Sequence, residues 1–162
     1  MITIRNATTE DLPALIAIEH LCFSPEEAAT QEAFEKRIRL IPDSFLVAEA
    51  DGVVAGLVNG PVTESPFITD DLFQTIKENP ATGGHQTILG LAVSPAFQKR
   101  GIASMLLAHL EASARASGRE TITLTCKEDL IRYYESHGYL NNGVSDSDHA
   151  GVIWYNMSKP LR

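Results

Sequence analysis

Between Leu89 and Ser104 the chain reads Leu-Gly-Leu-Ala-Val-Ser-Pro-Ala-Phe-Gln-Lys-Arg-Gly-Ile-Ala-Ser: an apolar run, a basic turn and the start of an amphipathic segment in immediate succession. A strand that turns straight into a helix leaves the first backbone N–H groups without intrahelical acceptors, and the helix dipole favours negative charge beside them. The amides from Lys99 to Ala103 are therefore predicted to form an anion site that can take a pyrophosphate, with Gly101 letting the backbone come close. A glycine at such a turn can also serve the turn alone. Cys126 has the type of a nucleophile, yet no His with Asp or Asn pattern marks a partner for it, so it reads as strand-end packing. Cys22 and Cys126 belong to no Cys-x-x-Cys or Cys/His cluster; both read as reduced thiols, with neither disulfide nor metal site expected.

The elements around that turn follow from periodicity and punctuation. Ile2 to Arg5 alternates as a strand, and Thr8 to Asp11 supplies capping oxygens for a helix carrying Leu12, Leu15, Ile18 and Cys22. Ser24 to Pro42, rich in Ala, Glu and Gln, predicts a second helix. Ser44 to Ala50 and Val53 to Asn59, joined by Asp51-Gly52, predict an antiparallel hairpin. Pro61 to Gly84 is polar, reads as an insertion near a site, and carries a short helical pattern over Asp70 to Lys77. Thr87 to Val93 predicts one apolar strand, and a long helix with Ile102, Met105, Leu106 and Leu110 on one side ends at Gly118. Thr121 to Cys126 alternates as a strand, Asp129 to His137 predicts a short helix, and two last strands follow, the final one Val152 to Met157.

A chain of 162 residues with 44% hydrophobic content supports one domain, 1–162, around a single sizeable core. No apolar run approaches the roughly 20 residues that span a bilayer. The first residues lack the basic flank and apolar stretch of an export signal, so the expected compartment is the cytoplasm. A net charge of -8 disfavours nucleic acid and anionic membrane as partners. It suits a cationic small molecule, or simply keeps the protein in solution.

Gln98-Lys99-Arg100-Gly101-Ile102-Ala103, following Leu91-Ala92-Val93 and followed by a second motif over Leu130 to Tyr139, resembles the Q/R-x-x-G-x-G/A signature of the GNAT acetyltransferase superfamily. That resemblance implies an α/β (α+β) fold: a central, mixed but mostly antiparallel, splayed sheet of about seven strands flanked by helices. It implies acetyl-coenzyme A as co-substrate and no metal, held by Leu91, Ala92 and Val93 through their backbone, by Gln98, Lys99, Arg100, Gly101, Ile102, Ala103 and Ser104 at the turn, and by Tyr133. A backbone N–H near Leu91 or Ala92 would stabilise the developing oxyanion, and Tyr134 would protonate the leaving thiolate; without the resemblance, Tyr134 reads as a packing aromatic.

Cys126-Lys-Glu-Asp-Leu130 with Tyr133-Tyr134, and Phe23-Ser-Pro-Glu-Glu-Ala-Ala29, are similar to the arylalkylamine N-acetyltransferase branch, which implies transfer to a primary amine of a small molecule, arylalkylamine-like or polyamine-like. Two departures stand out. Lys127 takes a position where many relatives carry asparagine, and Thr87 and Leu89 stand where animal members of the branch carry two histidines. The base is therefore open among His85, Glu26, Glu27, His149 and water, with Glu26, Glu27 and His149 also candidates to touch the acceptor. A protein N-terminus or lysine as acceptor, and a non-catalytic coenzyme A-binding module, are the alternatives. The oligomeric state is expected to be monomer or homodimer.

Overall fold

The computed structural model describes residues 1–73 and 75–162. Its strands are β1 (Ile2–Asn6), β2 (Phe45–Ala50), β3 (Val53–Asn59), β4 (Val62–Thr63), β5 (His85–Ile88), β6 (Gly90–Val93), β7 (Thr121–Cys126), β8 (Leu140–Val144) and β9 (Tyr155–Pro160). Its helices are α1 (Leu12–Cys22), α2 (Gln31–Leu40), α3 (Ile102–Ala116) and α4 (Ile131–Glu135). The strands form two sheets, β1-β2-β3-β6 and β4-β5-β7-β9-β8, in which β5 with β7 is the parallel pairing. Counting β5 and β6 as one bent strand and leaving aside the two-residue β4, this is the seven-stranded, mostly antiparallel, splayed sheet expected.

β2 shows why the first sheet has helices on both faces. Leu46, Ala48 and Ala50 point into a core with Leu106, Leu107 and Leu110 of α3. Phe45 and Val47 point the other way, onto Leu15 and Ile18 of α1 and Phe34 and Ile38 of α2. Successive strand residues face opposite sides, so a strand apolar at nearly every position must be covered twice. Leu15, Phe34, Phe45 and Leu57 are fully buried, each worth about 1.5–3 kcal/mol relative to exposure. Asp51 and Gly52 both adopt positive φ, 53° and 81°, the turn that matches the twist of the β2–β3 hairpin. At the start of α1, Asp11 accepts from the Thr8 N–H at 2.8 Å and from two Arg5 nitrogens at 2.8 Å, fastening the helix to β1.

Four expectations are corrected. The second helix starts at Gln31, not Ser24: residues 24–28 make a single turn, and Thr30, extended, caps α2 by accepting from the Ala33 N–H at 3.1 Å. The local cap outweighs the helix propensity of the preceding alanines. The expected Asp70 to Lys77 helix is a 3-10 turn over Asp70–Phe73; Gln74 lies outside the described residues. The final strand runs Tyr155–Pro160, three residues later than expected, since its register sets the fully buried Met157 against Leu124. The fourth correction, the break at Leu89, creates the site.

Candidate functional site

The apolar run Thr87 to Val93 divides at Leu89 between the two sheets. β5 pairs with β7 through Ile88↔Leu124, while β6 pairs with β3 through Gly90↔Asn59 to Val93↔Gly56. Thr87 donates its backbone N–H to Pro61 O at 3.0 Å and Leu89 to Asn59 O at 2.8 Å, so the end of β3 holds both sides of the bend. Beyond it β7 continues through Thr125 and Cys126 with no strand on that side, and the edge of β6 facing it is unpaired.

The polar groups on that edge can be assigned. Ser94 N–H donates to Ala55 O at 2.8 Å, and in an antiparallel ladder hydrogen-bonded positions recur every second residue. Ala92 therefore turns its N–H and C=O to Leu57, whereas Leu91 and Val93 turn theirs to the fork. The Val93 carbonyl there accepts from Cys22 Sγ at 3.3 Å and Gln98 Nε2 at 3.2 Å. Of the two amides considered for an oxyanion, Leu91 faces the opening and Ala92 does not.

The turn after β6 has the form read from its sequence. Lys99 and Gly101 take left-handed angles, φ 65° and 79°, and no side chain caps α3. The first hydrogen bond into the helix runs from Met105 N–H to Gly101 O at 3.0 Å, leaving the earlier amides for an external acceptor. A Cβ at Gly101 would meet nothing within 4 Å, so the ground above the turn is open. Arg100 lies over the Phe97 ring at 5.2 Å, and the Ile102 side chain belongs to the core. Ser104 Oγ contacts His137 Nε2 at 2.9 Å, and the His137 ring lies 4.6 Å from that of Tyr133. This chain of contacts ties the start of α3 to α4.

From the fork a cavity of about 660 Å³ extends under α1 and α2, lined among others by Leu89, Gly90, Leu91, Cys126 and Tyr134. Tyr134 is buried, packs edge-on against Tyr133 and Tyr139 at 5.2 and 5.7 Å, and its hydroxyl makes no hydrogen bond with a described residue. Burial, with Cys126 and Tyr133 nearby, pushes its phenol well above the usual value, so it holds its proton at neutral pH. Burial, with Asp129 adding to it, pushes the Cys126 thiol up to about 11, which suits packing and not nucleophilic attack.

The acceptor-side candidates fare unequally. Glu27 lines the cavity but is paired to Lys127 at 2.8 Å. Burial pushes its carboxyl up, yet Lys127 and Ser24 outweigh that and leave it below the usual range. Lys127, the departure noted above, thus bridges the 23–30 loop to the end of β7, with its ammonium 6.0 Å from the Trp154 ring. His149 lines the cavity stacked on Phe73 at 4.6 Å, and its Nε2 is buried without a partner among the described residues. Glu26 is exposed and outside the cavity. His85 is remote, on β5 against Thr121 at 2.8 Å and Glu120 at 3.3 Å. Among the described residues of the Pro61 to Gly84 segment only Phe73 reaches the cavity; residues 79–84 brace the far end of the sheet through Asn79 to Val62 N–H and Gly84 O from Glu120 N–H.

Two residues not singled out from the sequence complete the site. Glu19 on α1 and Arg37 on α2 both line the cavity and are each 3% exposed. Glu19 Oε2 accepts from the Ala29 N–H at 2.7 Å, and Oε1 lies 4.0 Å from where a Cβ on Gly90 would sit, one residue before Leu91. Burial raises its pKa, only partly offset by the Ala29 amide and the Arg37 charge. A signal was present: Glu19 and Arg37 fall on the apolar stripes of their helices, four residues after Leu15 and three after Phe34. No group of three or more His, Cys, Asp or Glu among the described residues could hold a metal ion, and no helix among them is long and apolar enough to cross a membrane.

The model of the acetyltransferase (GNAT) family matches residues 12–139. An acetyltransferase of Pectobacterium atrosepticum is 32% identical over 142 residues, covering 84% of this chain and 86% of its own length. An uncharacterized N-acetyltransferase of Bacillus subtilis is 25% identical over 117 residues, 65% of this chain; the chain spans 52% of that relative. Among solved structures, a GNAT-like decarboxylase in complex with isobutyryl-CoA superposes with a TM-score of 0.82 at 22% identity, covering 99% of this chain and 100% of its own. That likeness concerns the fold, since one fold carries several chemistries.

Proposed function

This chain belongs to the acetyltransferase (GNAT) family, and from that premise we propose that it transfers an acetyl group from acetyl-coenzyme A to the primary amine of a small molecule. The observation that carries the reading is the fork at Leu89, where the unpaired Leu91 edge and Tyr134 line one cavity, with the open turn at Gly101 beyond the end of the same strand, β6. The residues present fit the co-substrate: free amides at the start of α3 suit its pyrophosphate, and the outward N–H and C=O of Leu91 with the outward N–H of Val93 suit an amide-bearing arm laid along the strand edge. When bound, acetyl-coenzyme A supplies an acyl group on a thiol leaving group.

The protein's own groups then divide the work. Leu91 N–H donates to the thioester oxygen as charge gathers there. Glu19 Oε1, beside Gly90, holds the acceptor ammonium and takes one proton from it. A carbon–nitrogen bond forms and the carbon–sulfur bond breaks; the nitrogen gives up its second proton to solvent, Glu19 passes the first to solvent, and Tyr134 gives its proton to the sulfur and regains one from solvent. One proton is released per turnover. Glu19 replaces His85, Glu26, Glu27 and His149 as the proposed base because it alone combines burial, a raised pKa and a place beside Leu91.

A small acceptor is supported by the Glu27–Lys127 bridge and the Phe73–His149 stack, which stand in the cavity wall on the acceptor side. The test is thiol release from acetyl-coenzyme A with arylalkylamines, polyamines, amino acids and short peptides, with products weighed by mass spectrometry. Acetylated small amines are expected. Turnover of peptides and of no small amine overturns the small-acceptor reading in favour of a protein substrate.

A further inference from the structure

Arg37 is the least expected residue in the cavity wall. It is 3% exposed, its guanidinium rests 5.8 Å over the Phe34 ring, and it gives one hydrogen bond, Nη1 to Asn59 Oδ1 at 3.0 Å. A guanidinium presents five N–H donors in a planar fork. The remaining donors find no acceptor among the described residues. Burial pushes its pKa down to about 10, with Glu19 opposing, so the side chain stays charged at neutral pH.

Glu19 faces the same space with Oε1 unpartnered among the described residues, and the two side chains form no ion pair with each other. Two opposite charges buried near one another but out of contact are each left undercompensated, a costly arrangement unless a third body answers both. Such a site is built for a ligand that presents a cation to Glu19 and an anion to Arg37 at once.

We infer that the acetyl acceptor carries a carboxylate close to its amine, as an α-amino acid does: the amine meets Glu19 beside Gly90 while the carboxylate takes the free face of the Arg37 guanidinium. The inference rests on the acetyl-transfer reading above and names its substrate class; the carboxylate takes no part in bond making. Arg37 is suited to this because its fork matches two carboxylate oxygens, and Asn59 fixes its direction from behind. Arylalkylamines and polyamines bring only positive charge and leave Arg37 unanswered. A peptide N-terminus brings a neutral carbonyl where the carboxylate belongs.

The first arm of the test needs no variant. Thiol release by the full chain is compared across the twenty standard amino acids as free acids, as their carboxyl amides, and as the decarboxylated amines, such as phenylalanine, phenylalaninamide and 2-phenylethylamine. At least one free acid is expected to exceed its amide and its decarboxylated partner by about a hundredfold or more in kcat/KM, because a buried charge built for an absent group is left unpaired. Calorimetric binding of that acid should weaken at least about tenfold in Arg37→Lys, with KM raised more than kcat is lowered. Amides, decarboxylated amines or peptides turned over as well as or better than every free acid would overturn the inference and leave acetyl transfer standing. No thiol release with any amine or peptide would overturn both.

Discussion

Glu19→Gln separates a working carboxylate from a structural one. The substitution is nearly isosteric, and the amide oxygen can keep the Ala29 N–H bond of 2.7 Å. What changes there is a charge-assisted hydrogen bond for a neutral one, a loss of about 1 kcal/mol. Against it stands relief from burying a charge. Burial holds the Glu19 pKa above its unfolded value, so the folded state binds this proton more tightly. The stability this contributes is fully present below the unfolded pKa and is lost as pH rises through the folded one. Above the folded pKa the wild type has lost it, and the glutamine variant has nothing to lose. The melting temperature of Glu19→Gln relative to wild type should therefore climb as pH rises from the unfolded pKa through the folded one. Turnover should move the other way: removing a general base is worth about a hundredfold to ten-thousandfold, or about 3–5 kcal/mol of barrier. The loss should shrink as pH approaches the pKa of the acceptor amine, where the neutral nucleophile no longer needs deprotonation. Both curves come from thermal melts and thiol release at saturating substrates across pH. A variant within about threefold of wild-type turnover at neutral pH, with chemistry shown to be rate-limiting, would refute the assignment. So would a rate loss that merely follows a falling melting temperature.

Tyr134→Phe should lower turnover about a hundredfold, leave acetyl-coenzyme A affinity and melting temperature nearly unchanged because the hydroxyl has no hydrogen bond with a described residue, and regain rate at low pH, where solvent protonates the leaving sulfur. An unchanged rate would leave Tyr134 as packing. Gly101→Val should cost about 1–2 kcal/mol, from φ 79° in a residue with a branched side chain, and should abolish the rise in melting temperature that acetyl-coenzyme A gives the wild type. A retained rise would move the phosphate site elsewhere. Asp11→Asn should cost about 1–2 kcal/mol at neutral pH. Its carboxyl is held below the usual value by the Arg5 hydrogen bonds, so this stability is present above the unfolded pKa and lost as pH falls through the folded one. Denaturant melts should show the gap between variant and wild type closing in acid; a gap that persists there would assign the cost to packing.

Much of the architecture is local and was legible. Alternation located β1 and β7, the Asp51-Gly52 turn between two apolar runs located the β2–β3 hairpin, and Gly118 and Gly138 placed helix ends, because backbone angles and side-chain periodicity are properties of a few neighbouring residues. The open form of the Gln98 to Ser104 turn was legible for the same reason, since a strand, a glycine and a helix in that order leave the first helical amides free. The division at Leu89 was not. An apolar run states that a strand will be buried and says nothing of which strand it will lie beside, so one run could serve two sheets. The acceptor side shows the same limit. Glu26 and Glu27 look alike in sequence, yet one points to solvent and the other is held by Lys127, 100 residues away. Glu19 and Arg37 stood out of pattern on their helices, but a charge on an apolar stripe can pair, snorkel or face a cavity. Which of these happens depends on groups brought close by folding, so local pattern determined the scaffold and the open turn at Gly101, while long-range packing alone decided which charges face one another across the cavity.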